Sequence, residues 1–193
     1  MLPNRALTTH SSYRGAHLRI YDNPASADVI RSLGARPHQG LTADDVVPGL
    51  RAGRLDGAET APIYAVDNHY ATAAKHMTGY ALFDKVYAFV ASEKAWKRLS
   101  KAKQAAVRVA AADTVRFAAT LAARDDADLA RLCEQGVSVD VPTPAAMRGL
   151  AEAERPVLAA LARDADAGPV LRMLQASPGT GPRVLVPPKE CAP

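Results

Sequence analysis

The sequence predicts an α/β fold with a parallel sheet, and three observations carry that expectation. Between Gly15 and Pro62 the chain alternates three strand-like runs with two helical patterns in about fifty residues, the rhythm of βαβ units. The breaks between these runs fall at Gly34, Gly53 and the Asp56-Gly57 pair, residues that end helices and open turns. Apolar residues make up 48% of 193 residues and aromatics only 5%, so much of the apolar content is alanine and the chain can bury a proper core.

Taken in order, residues 1–14 are polar and irregular and read as a lead-in. His17 to Tyr21 is the first strand, with Leu18 facing in and His17 and Arg19 facing out. Pro24 opens a helix to Leu33, with Asn23 as its N-cap and Gly34 as its stop. Arg36 to Gln39 is a short extended piece. Thr42 suits an N-cap, Asp44 and Asp45 suit the first turn, and that helix runs to Ala52, with Pro48 arguing for a kink or break. Leu55 to Glu59 is the third strand. In parallel sheets ligands sit beyond the carboxyl ends of the strands. Arg19 lies near one such end and Asp56 to Thr60 supply another, so the stretch reads as half of a cleft for a small anion.

Beyond Pro62, Ile63 to Ala74 starts as a short helix and Tyr80 to Ala91 is rich in strand formers. Ser92 caps a short helix through Trp96 to Leu99. Ser100 caps a long one from Lys101 to Gln135, ended by Gly136. Its apolar stripe is Val107, Ala111, Val115, Ala118, Ala122, Leu129 and Leu132, with a gap at Asp125 and Asp126 where a break would fall. Val137 to Val141 is a short strand, Thr143 caps a helix from Pro144 to Ala162, and Gly168-Pro169 starts a last helix, Val170 to Gln175. From Ser177 on, the Gly- and Pro-rich tail is expected to be mobile. The organisation expected is therefore a lead-in over 1–14, an α/β ligand-binding lobe over 15–79, a return strand with long and C-terminal helices over 80–176, and a tail over 177–193.

Several function classes find no support. The net charge of +4 is spread along the chain without a run of five or six like charges, and it reads as a solvated surface rather than one for nucleic acid. The five histidines, His10, His17, His38, His69 and His76, form no His-x-x-x-His pattern. No Gly-x-Ser-x-Gly elbow and no phosphate-binding Gly-x-x-x-x-Gly-Lys loop occurs, so neither catalysis nor a cofactor is expected. Cys133 and Cys191 have no metal-ligand spacing. Free thiols are the expectation, with a disulfide as the alternative. The N-terminus has no apolar core of signal-peptide length and no run of about 18 apolar residues occurs, so the chain as written reads as cytosolic.

Three motifs resemble a known family. Arg14-Gly15-Ala16-His17-Leu18-Arg19-Ile20 is similar to a Lys-Gly-x-Lys-Leu-Arg-Val strand. Leu33-Gly34-Ala35-Arg36-Pro37 is similar to a Leu-Gly-Ala-x-Pro turn. Gly49-Leu50-Arg51-Ala52-Gly53-Arg54-Leu55-Asp56-Gly57-Ala58-Glu59 is close to Ala-Leu-Gln-x-Gly-x-Val-Asp-Gly-x-Glu. In this order they resemble the second lobe of the DctP-like solute-binding proteins of tripartite ATP-independent periplasmic (TRAP) transporters, over residues 12 to 175. Tyr70, His76 and the segment Ser92 to Leu99 match more weakly. The resemblance implies one lobe of a periplasmic-binding-protein-like receptor with a long bracing helix. It implies capture of a small organic acid, delivery to membrane permease subunits, and a periplasmic location. The family's first lobe has no counterpart here, so a truncated chain is expected.

By the same resemblance Arg19 pairs with the substrate carboxylate, because a guanidinium binds a carboxylate through two parallel charge-assisted hydrogen bonds. Thr60 stands where many members carry an asparagine, and it is placed in the ligand set with turn stabilisation as the other reading. Glu59 either accepts from a ligand hydroxyl or holds Arg19 in place, while Asp56 is read as turn chemistry. Asn23 offers an amide donor. Leu41 to Ala43 occupies the position of an aromatic wall without supplying one, and His76 reads as structural. A lone lobe leaves Arg19 in water, where an ion pair contributes about 0–1 kcal/mol, so the isolated chain is expected to bind carboxylates weakly or not at all. The alternative is a stand-alone α/β ligand-sensing or interaction module that uses the long helix as a partner surface.

Overall fold

The computed structural model describes residues 1–82, 90–118, 122–176 and 184–191. At its centre is a four-stranded sheet in the order β1-β4-β2-β3, built from Leu2–Pro3 (β1), His17–Arg19 (β2), Arg36–His38 (β3) and Gly57–Ala58 (β4). β2 pairs in parallel with both β3 and β4, as the βαβ rhythm requires, and β1 closes the β4 edge antiparallel. A second, two-stranded parallel sheet joins His76–Thr78 (β5) to Ser138–Asp140 (β6).

The helices are His10–Tyr13 (α1), Pro24–Ser32 (α2), Val46–Arg51 (α3), Pro62–Asp67 (α4), Glu93–Arg98 (α5), Lys101–Ala118 (α6), Ala122–Glu134 (α7), Pro144–Arg163 (α8) and Ala167–Ala176 (α9). Strand alternation divides their packing between two faces. Leu18 and Ile20 point into a cluster with Leu7, with Tyr13 from α1, Ile30 from α2 and Leu33 at its cap, and with Leu150 from α8. Ala58 and Leu2 join a second cluster with Val46 and Leu50 from α3, Ala65 from α4, Tyr70 from the 3-10 turn Tyr70–Thr72, and Leu129 and Leu132 from α7. His17 and Arg19 leave β2 on the side opposite Leu18.

Local signals explain the helix ends. Asn23 accepts from the Ser26 N–H at 3.1 Å and Pro24 occupies the first turn of α2. Gly34, at φ +79°, closes that helix with bonds from its own N–H to Arg31 and from Ala35 to Ile30, a Schellman stop. Ser92, Ser100 and Thr143 all cap as expected, accepting from Ala95, Lys103 and Ala146.

Other expectations need correction. The lead-in is part of the fold: residues 1–14 hold β1 and α1, and Leu2, Leu7 and Tyr13 are fully buried. Thr42 is not a cap. Its N–H and hydroxyl both donate to Asp45 Oδ2, at 2.8 and 2.7 Å, and α3 starts only at Val46. Pro48 therefore falls in the first turn, where its missing N–H costs nothing. Asp125 and Asp126 lie inside α7 rather than at a break, while residues 119–121, between α6 and α7, are outside the described residues. Most of the strand expected over Tyr80 to Ala91 also falls outside them.

The cysteines are not free. Cys133, at the end of α7, is bonded to Cys191, 58 residues away. With the Leu185 N–H donating to the Gly79 carbonyl at 3.0 Å, this bond anchors residues 184–191 of the tail expected to be mobile. Sequence spacing carries no record of such a contact, because it depends on where α7 sits.

Candidate functional site

Arg19 is held from both sides of the central strand. Its register partners are His38 on β3 and Ala58 on β4, and its carbonyl accepts from the Glu59 N–H at 2.7 Å. The side chain is only 6% exposed. Its Nε donates to the Leu41 carbonyl at 3.0 Å, and Cζ lies 4.4 Å from the centroid of the Tyr21 ring. Among the described residues no carboxylate forms an ion pair with Arg19. A guanidinium carries five N–H donors, and a buried one with a single carbonyl partner calls for an anion or water. The expectation that a lone lobe leaves this arginine in water is thus overturned: its own lobe desolvates it.

The other expected site residues divide. Glu59 is buried, and its Oε2 accepts from the Tyr21 N–H at 3.2 Å, so it fixes the strand that carries Arg19 and Tyr21. Thr60 is buried next to it, with its hydroxyl donating to the Ala61 carbonyl at 3.1 Å, a turn contact. Asn23 sits at the exposed start of α2, with its side-chain carbonyl engaged as the cap. Asp56 accepts from the His17 N–H at 2.8 Å, which pins the start of β2 to the approach to β4. His76 belongs to the second sheet, where its Nδ1 meets Asp140 Oδ2 at 2.8 Å and Ser138 Oγ at 3.1 Å.

Sequence reasoning missed the aromatic surroundings of Arg19. Tyr21 was two positions further along the same strand, so period-two alternation already placed it on the Arg19 side. Tyr70 is buried, and its hydroxyl lies 3.5 Å from the Ala43 carbonyl. Burial raises the Tyr70 pKa, and the field of Arg19 opposes that shift. Asp45, within the field of Arg19 and Arg54, is held below the ordinary carboxyl range chiefly by its bonds from Thr42. Leu41 to Ala43 supplies backbone carbonyls, that of Leu41 to Arg19 and that of Ala43 to Tyr70, and the ring against Arg19 is that of Tyr21.

Residues 3–164 match the family model described as bacterial extracellular solute-binding protein, family 7, also called DctP. The chain belongs to that family. Solved structures of TRAP periplasmic solute-binding proteins share its fold. One from Bradyrhizobium sp. BTAi1, in complex with galacturonate, is 23% identical with a TM-score of 0.76, over 91% of this chain and 58% of that one. One from Desulfovibrio salexigens, with bound orotic acid, is 20% identical with a TM-score of 0.72, over 90% and 56%. One from Pseudomonas putida F1, with bound D-glucuronate, is 17% identical with a TM-score of 0.70, over 92% and 56%. The chain therefore spans less than three-fifths of these structures and matches a single lobe of a TRAP periplasmic binding protein. In this family 7 chain, no described helix is long and apolar enough to cross a membrane. No group of three or more His, Cys, Asp or Glu among the described residues is arranged to hold a metal ion.

Proposed function

We propose that this chain is the solute-binding component of a TRAP transporter and that it takes a small organic acid at Arg19, for delivery to the membrane permease subunits. The observation that supports this reading is a buried guanidinium at a parallel-strand end with no carboxylate partner among the described residues, in a chain of the DctP family. The ligand carboxylate supplies the missing counter-charge. The desolvation that Arg19 has already undergone strengthens that pairing relative to an open surface. In an intact receptor a second lobe closes over the ligand by a hinge and removes the remaining water. A periplasmic location accords with the Cys133–Cys191 disulfide, because such bonds persist in oxidising compartments.

Calorimetric titration with D-galacturonate and with succinate tests this reading. Saturable binding of one of them is expected, weakened about 10- to 100-fold by Arg19→Gln, the range for losing hydrogen bonds to a charged group. Equal binding by Arg19→Gln, or none of either acid by the wild type, counts against it.

One observation favours a second reading, a stand-alone interaction module. Helix α6 presents Val107, Val109, Val115 and Phe117 to solvent, with Val115 69% exposed. Self-association in light scattering, lost with Val115→Lys, would support that reading over transport.

A further inference from the structure

On the seam between β2 and β3, His17 Nδ1 and His38 Nε2 lie 2.8 Å apart, with ring centroids separated by 5.0 Å. At that distance one ring donates and the other accepts, so the pair shares a proton. His38 is the register partner of Arg19, and His17 stands two residues before it. Both histidines therefore leave the sheet on the Arg19 side. Neither the family motifs nor the carboxylate reading assigns them a role.

We propose that the His17–His38 pair is an acid-responsive cationic element of the Arg19 site, which takes up one further proton and so tightens the binding of small organic anions. This rests on the carboxylate reading above. The first added proton goes to a nitrogen outside the shared bond, so the N–H···N contact survives it. A second would leave two donors facing each other. Burial, and then His17, push the His38 pKa below its ordinary value of 6.5.

The charged groups on the surrounding elements set the sign. Arg19 on β2 and Arg36, the register partner of His17 on β3, both oppose an added proton. Asp56, before β4, accepts from the His17 N–H and favours it. Glu59 after β4, which accepts from the Tyr21 N–H, Asp22, which accepts from Gln39, Asp44 and Asp45 before α3, Arg54 after it, and the phenols of Tyr21 and Tyr70 also stand around Arg19 and the end of β3. An anion on Arg19 offsets the repulsion from the cation at the register position of His38. Anion binding and proton uptake are therefore linked, and each strengthens the other by the same factor. A coupling at the low end of the usual range is about fivefold.

Two measurements decide it. The first is calorimetric titration of the full chain with D-galacturonate at pH 7.5 and pH 5.0, for wild type, His38→Gln and His17→Asn. Wild type is expected to bind about fivefold tighter at pH 5.0, with that gain lost in both variants. Two variants guard against one failing to fold. A gain that persists in both, or no gain in wild type, overturns the proposal while leaving the carboxylate reading intact. The second is an NMR titration of the imidazole resonances with and without sodium sulfate, an anion that needs no sugar recognition. The pair's midpoint is expected to rise with sulfate in wild type and to stay put in Arg19→Gln. If galacturonate does not bind, a risen midpoint still supports the pair and an unmoved one overturns it.

Discussion

The Arg19 guanidinium lies against the Tyr21 ring, with Cζ 4.4 Å from its centroid, and both residues come from one face of one strand. The ring covers one side of the cation. Tyr21 is itself 39% exposed, while Arg19 is buried.

Tyr21→Ala removes this cation–π contact, which contributes about 0.5–1 kcal/mol at a part-exposed site. Calorimetry should show carboxylate affinity reduced about twofold to fivefold, with Tyr21→Phe retaining most of it. Equal losses in both variants would point to the hydroxyl instead.

Gly57 is where β1 packs onto the sheet. A Cβ there would lie 2.8 Å from Pro3 Cα and 3.2 Å from Leu18 Cδ2. Backbone at that distance cannot swing aside, so Gly57→Ala should cost about 1–3 kcal/mol in urea unfolding, the range for overpacking. An unchanged midpoint would mean that β1 is not held at this seam.

Cutting the link between Cys133 and Cys191 frees residues 184–191 from α7. Cys133→Ser should lower unfolding stability by about 2–4 kcal/mol, and reducing agent should bring wild type to the same level. Coincident melts for oxidised wild type and the variant would show that the bond does not form in solution.

Glu154, on α8, sits beside the buried Tyr13 and near Tyr80, and burial pushes its pKa up from 4.5 to about 7. Its Oε1 and the hydroxyls of Tyr13 and Thr78 are buried without hydrogen-bond partners among the described residues. The Tyr13 and Thr78 hydroxyls neighbour one another, yet neither reaches hydrogen-bond geometry. The folded carboxyl holds its proton more tightly than the unfolded one. Its contribution is thus full below about pH 4.5 and fades as pH rises through 7. Glu154→Gln should remove that slope and stabilise the fold at pH 8 by about 1 kcal/mol, less than full linkage because the carboxyl is only part-buried. Thermal melts of both proteins at pH 5 and pH 8 read the difference, and parallel slopes would sink the idea.

Much of this protein is written locally. The βαβ rhythm of residues 15–62, the caps at Asn23, Ser92, Ser100 and Thr143, the stop at Gly34 and the position of Arg19 on a central parallel strand all follow from residues within a few positions of one another. The side-chain period and the cap geometry fix them without any distant partner. The antiparallel β1, the Cys133–Cys191 bond, the burial of Arg19 and the His17–His38 contact were settled only by the tertiary structure. Each depends on segments separated in sequence being packed together: Leu2 against Ala58, α7 against the tail, Leu41 and Tyr21 around one guanidinium. The stripe of the long helical region shows the division most plainly. Period alone treats Val107, Val115, Leu129 and Leu132 alike, yet Leu129 and Leu132 are buried in the α4–α7 core while Val107 and Val115 face solvent. A periodic pattern states which side of a helix is apolar, and only the rest of the chain decides whether anything lies against it.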